Sequence, residues 1–87
     1  MGSNNKPRVI LRRPQVQART GYSRSTIYQQ IADGLWPHPV AMGARAVGWP
    51  ESEVEAMNAA RIAGRAEEDI RELVQKLEAS RVLQSTN

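Results

Sequence analysis

The chain has no cysteine and a single histidine among its 87 residues, which removes the commonest metal ligands and nucleophiles. Disulfides and thiolate metal sites are excluded, and nothing marks an oxidising compartment. His38 sits between two prolines with no acidic cluster beside it, so neither a metal site nor a nucleophilic relay can be assembled around it. No apolar run approaches the ~20 residues of a membrane span, and the N-terminus lacks the apolar core of a signal peptide. A glycine-rich phosphate loop is also missing. The expectation is a cytoplasmic, cofactor-free, metal-free domain that is not an enzyme and takes no small-molecule substrate. Eighty-seven residues suit one small domain with a modest core.

Acidic residues are scarce in only one half. Residues 1–50 carry Lys6, Arg8, Arg12, Arg13, Arg19, Arg24 and Arg45 against Asp33 alone, a net charge of +6. Residues 51–87 carry five cations against eight carboxylates, a net of −3. A basic half suits a polyanion such as DNA, where each neutralised phosphate releases counterions, although surplus cations also serve solubility. The acidic half suits solvent or another protein.

The most informative segment is Thr20-Gly21-Tyr22-Ser23-Arg24-Ser25-Thr26-Ile27-Tyr28. A short first helix from Pro14 to Arg19 or Thr20 ends at Gly21, which can adopt the left-handed cap conformation. A second helix, capped by Ser23, runs from about Arg24 to Asp33 and stops at Gly34. Ile27 and Ile31 share its inward face. Arg24, Ser25, Tyr28 and Gln29 are rotated off that face and offer an arginine, a hydroxyl, a phenol and an amide. Arginine suits guanine, glutamine suits adenine, and hydroxyls suit phosphates. The same pattern also fits an ordinary capped, exposed helix.

Further along, two prolines keep Leu35-Trp36-Pro37-His38-Pro39-Val40 extended, with Trp36 expected to fold back onto the core. Val40-Ala41-Met42 and Ala46-Val47-Gly48-Trp49 flank Gly43-Ala44-Arg45, which predicts a hairpin with Arg45 at its tip. This is either a wing that meets DNA or a cover for the core. A third helix follows Pro50, with carboxylates at its positive end and Gly64 to kink or end it. The stretch from Arg65 to about Val82 predicts another helix. Ala63, Ala66, Ile70, Leu73, Leu77 and Ser80 recur at steps of three and four, a short heptad seam that predicts a homodimer contact centred on Ile70, Leu73 and Leu77.

Taken in order, Arg19 to Tyr28, Trp36-Pro37-His38-Pro39-Val40, Gly43 to Trp49 and Glu51-Ser52-Glu53-Val54 resemble the AlpA family of phage-type regulators over about residues 9–64. The resemblance implies a winged helix-turn-helix of the MerR-like and excisionase-like kind, with the second helix in the major groove and the wing on the backbone or minor groove. It also implies transcriptional control at prophage and mobile-element loci. Carried over by position, Ser23 caps the recognition helix, Arg24, Ser25, Tyr28 and Gln29 face DNA, and Arg45 is the wing contact. Gln29-Gln30 departs from a site that is often basic in the family. Pro50 and Met57-Asn58 stand where larger apolar residues are frequent.

The expected fold is therefore mainly α with a small β-hairpin, a winged helix-turn-helix with a C-terminal helical extension. Residues 1–8 form a flexible arm, 9–64 the DNA-binding domain and 65–87 a helical tail. The expected function is sequence-specific regulation through helix 23–33 and wing 42–46, with double-stranded DNA as partner and no membrane. An excisionase-like architectural protein is the first alternative. A protein-interaction module acting through the C-terminal helix is the second.

Overall fold

The computed structural model describes residues 9–85, with side chains described through Val82, so the arm expected over residues 1–8 lies outside the described residues. A short strand β1 (Ile10–Leu11) leads into helix α1 (Arg13–Thr20). Pro14 sits in the first turn, where no helical N–H is lost, and the Arg12 N–H donates to Gln15 Oε1 at 2.8 Å. Gly21, at φ 79°, ends the helix and gives its N–H to the Gln17 carbonyl. Helix α2 (Arg24–Ala32) follows after the three-residue turn and ends one residue earlier than expected, with Asp33 as its cap and Gly34 at φ 77°.

The expected hairpin is present as β2 (Val40–Ala41) and β3 (Val47–Pro50), but it belongs to a larger sheet. Strand β1 pairs antiparallel with the other side of β3, matching Leu11 with Trp49, so the order is β1-β3-β2. Nothing local in the sequence marks β1, since two paired residues are too few to show alternation. Gly48 is required where the strands meet, since a Cβ there would lie 2.6 Å from Ile10 Cγ2 and 2.8 Å from the Leu11 carbonyl oxygen.

Helices α3 (Glu51–Ile62) and α4 (Glu67–Ser85) complete the chain. The core gathers Leu11, Val16, Ile27, Trp36, Trp49, Val54 and Met57, and it takes Ile70 and Val74 from α4. Both tryptophans are fully buried. Trp49 Nε1 donates to the Pro37 carbonyl at 2.8 Å, whereas Trp36 Nε1 has no hydrogen-bond partner among the described residues. Tyr22 meets Trp36 edge-on at 5.9 Å. Arg61 lies over the Tyr22 ring and bonds to Gln30 Oε1 at 2.7 Å and the Leu35 carbonyl at 3.2 Å, closing α3 onto the end of α2.

Helix α4 packs on the core, and residues of the expected seam take part in that packing. Ile70 is only 2% exposed, and Leu73 and Leu77 are half-buried against the same core. Steps of three and four serve a core-facing stripe as well as an intermolecular seam, and Val74 widens the stripe beyond the expected positions.

Polar contacts tether the same helix. Arg81 makes a two-pronged pair with the buried carboxylate of Glu53, at 2.6 and 2.8 Å, and reaches the His38 carbonyl at 2.8 Å. Hydrogen bonding to Glu53 raises the Arg81 pKa beyond its ordinary value. Glu78 Oε2 accepts from the His38 N–H at 2.7 Å and lies 2.9 Å from its Nδ1. Burial opposes ionisation of Glu78, but the hydrogen bonds from His38, together with the charges of His38 and Arg81, outweigh it and lower the Glu78 pKa. Arg71 Nε donates to the Asp33 carbonyl at 3.0 Å, at the end of α2.

Two stability measurements follow from this packing. Trp49→Phe leaves the Pro37 carbonyl without its donor, so urea denaturation should show it about 1–2 kcal/mol less stable than Trp36→Phe, which loses volume but also removes an unpaired buried N–H. Equal losses would contradict the role assigned to the Trp49 hydrogen bond. Arg81→Ala strands the Glu53 carboxylate, at 5% exposure, and should cost about 3 kcal/mol. Paired with Glu53→Gln in a double-mutant cycle, it should show coupling above about 1 kcal/mol, whereas simple additivity would refute the tether.

Candidate nucleic-acid interface

The turn between α1 and α2 sets the site. Gly21 reverses the chain, Tyr22 turns its ring onto Trp36, and Ser23 restarts the helix with extended backbone. Ser23 Oγ accepts from the Thr26 N–H at 3.2 Å and donates to Thr26 Oγ1 at 3.0 Å. The Ser23 hydroxyl is therefore engaged in the cap. Thr20 ties the other side of the turn, donating its hydroxyl to the Val16 carbonyl and accepting the Tyr22 N–H.

From this start, α2 buries Ile27 and turns Ile31 toward the core, which fixes the rotation of the remaining side chains. Arg24, Ser25, Tyr28 and Gln29 are all exposed. Arg24 and Ser25 occupy the first turn, where unpaired backbone N–H groups favour an anion. Tyr28 presents part of its ring. Gln29 Nε2 donates to both carboxylate oxygens of Asp33, at 3.2 and 3.3 Å. That contact is absent from the sequence expectation, although spacing of four on a helix permits it.

The hairpin holds the last expected residue. Its loop, Gly43-Ala44-Arg45, is closed by a hydrogen bond from the Met42 N–H to the Ala46 carbonyl at 2.7 Å. Arg45 is exposed at this tip. Neither Arg24 nor Arg45 forms an ion pair among the described residues. Arg19, by contrast, pairs with Glu51 at 3.0 Å, and its carbonyl accepts from Asn58 Nδ2 at 3.0 Å. Part of the basic half is thus neutralised by α3, and charge counting alone could not separate Arg19 from Arg24. The buried Glu53 was likewise legible only as a helix-end carboxylate; its partner Arg81 lies on another helix.

These elements have relatives among known proteins. The family model described as "Prophage CP4-57 regulatory protein (AlpA)" matches residues 9–62, which take in the sheet, both helices of the turn and α3 and stop before α4. The uncharacterized protein ORF88 of Enterobacteria phage P4 is 51% identical over 56 residues, 64% of each chain. The DNA-binding transcriptional activator AlpA of Escherichia coli (strain K12) is 37% identical over 59 residues, covering 60% of this chain and 84% of that protein. The chain accordingly spans just under two thirds of the length of the phage P4 relative. No solved structure matches.

Because the Ser23 hydroxyl is committed to the helix cap, Ser23→Ala should lower stability by about 1 kcal/mol, and Ser23→Asp should retain most of it. Thermal melts followed by circular dichroism test this. An unchanged melting temperature for Ser23→Ala would show that the cap contributes nothing.

Proposed function

The chain belongs to the AlpA family of prophage regulatory proteins, and from that membership we propose that it is a sequence-specific DNA-binding transcriptional regulator of a prophage or mobile-element locus. The observation that carries this reading is the polar face of α2: Arg24, Ser25, Tyr28 and Gln29 exposed together on a helix whose opposite side is fixed in the core. Such a face suits the major groove, where each base pair presents a distinct pattern of donors and acceptors. Arg45 at the hairpin tip suits the neighbouring backbone or the minor groove, whose negative potential favours arginine. Ser23 acts behind the interface by holding the first turn.

This function needs no cofactor, metal or catalytic group, and a cytoplasmic location follows from it. A homodimer contact through Ile70, Leu73 and Leu77 would have to use what the packing of α4 leaves accessible, chiefly the half-buried Leu73 and Leu77. The same packing weakens the alternative of a protein-interaction module that uses the apolar face of the C-terminal helix. An excisionase-like architectural role uses the same DNA-facing residues and differs in how copies are spaced on the duplex.

Selection from a randomised duplex pool at two salt concentrations tests the proposal. The wild-type protein should enrich one motif, and Arg24→Ala should weaken binding to it by about 1–3 kcal/mol if Arg24 reads a base. Arg45→Ala should weaken specific and non-specific binding alike and reduce the salt slope by about one unit. Unchanged affinity in both variants would remove the docking arrangement.

A further inference from the structure

We propose that Asp33 is a positioning residue for specificity: it holds the Gln29 amide in one orientation, so that α2 prefers a base bearing an exocyclic amino group, adenine or cytosine, where Gln29 meets the duplex. The inference rests on the DNA-binding reading above and adds the chemical class that one position accepts.

An exposed glutamine can present either end of its amide, and the two ends have opposite hydrogen-bonding character. A carboxylate accepts only. Gln29 Nε2 donates to both oxygens of Asp33, so the nitrogen is turned along the helix toward the cap and Oε1 is turned away from it. The anchor is itself held. The Asp33 N–H bonds to the Gln29 carbonyl at 3.0 Å, and the Asp33 carbonyl accepts Arg71 Nε from α4 at 3.0 Å. The stem of Arg71 covers Gly34 beside it.

In the major groove, adenine N6 and cytosine N4 are donors, whereas guanine O6 and N7 and thymine O4 are acceptors. A fixed Oε1 satisfies the amino bases, and adenine can also take the second amide N–H on N7. Guanine or thymine would instead meet oxygen against oxygen. Freed from the carboxylate, the amide could rotate by half a turn and donate to those bases, so the discrimination would fade. Asp33 is also the one acidic residue in the basic half, and no cation pairs with its carboxylate among the described residues. On a face that meets phosphates, such a charge lowers general affinity, which is consistent with a gain in specificity as its use.

The test is duplex selection with the full chain as wild type, Asp33→Asn, Asp33→Ala and Gln29→Ala, each first confirmed as folded by circular dichroism. The side chain of Asp33 is exposed and both Asp33 variants keep the backbone contact to Arg71, so either alone suffices if the other is unstable. In the wild type, one position should favour adenine or cytosine over guanine and thymine by about tenfold. The Asp33 variants should reduce that ratio to about threefold or less at that position alone, and Gln29→Ala should lose it at the same position. Asparagine tests the point because its amide can pair with Gln29 in either orientation. A wild-type motif with unchanged preferences in the Asp33 variants overturns the inference and leaves the DNA-binding reading standing. A preference for guanine or thymine at the Gln29-dependent position does the same. A wild-type pool without any motif overturns both.

Discussion

The structure depends first on Trp49. Its ring is fully buried at the centre of a sheet only three strands wide, and its indole N–H is satisfied by the carbonyl of Pro37. The contact ties the outer hairpin to the extended segment that follows α2. Two prolines keep that segment from continuing as helix, and Trp36 within it packs against Tyr22 at the helix-turn-helix turn. A chain this small has little apolar area with which to fix one element relative to another, so two indoles carry a large share of the packing. Through them the hairpin and α2 share one rigid core.

The division of charge acquires a physical meaning in the folded chain. Among the described residues, Arg19 is the one first-half arginine paired with the acidic half, through Glu51, while Glu53 takes Arg81 from within its own half and Glu78 holds His38. Arg24 and Arg45 are left exposed on the elements proposed to meet DNA. The tether among Arg81, Glu53, Glu78 and His38 also joins α4 to the proline segment, so the helix beyond the family match supports the same linker that Trp49 anchors from the other side.

Much of this arrangement was legible in the sequence because it is written in local chemistry. Gly21, Ser23 and Gly34 mark helix ends through conformations and caps that depend on near neighbours, and the Gly43-Ala44-Arg45 turn announces the hairpin in the same way. What escaped reading depends on distant partners. Strand β1 exists only because β3 is there to pair with it. The inward face of α4 has a periodicity that a core and a second chain use equally well, and only the structure shows Ile70 and Val74 buried in the core. The candidate interface divides along the same line. The exposure of Arg24, Ser25, Tyr28, Gln29 and Arg45 followed from helical rotation and turn position, whereas the commitment of Ser23 to its cap and the hold of Asp33 on Gln29 required side-chain geometry.

On the proposed reading, α2 and the hairpin tip engage one duplex together, the helix in the major groove and Arg45 on the adjoining backbone or minor groove. Footprinting of the protein on a selected site tests it most directly, with methylation protection reporting guanine N7 in the major groove and hydroxyl-radical cleavage reporting the backbone. A short major-groove protection flanked by protected backbone is expected, with the flanking protection alone lost in Arg45→Ala. Protection confined to the backbone, or a flank that survives in Arg45→Ala, would contradict it.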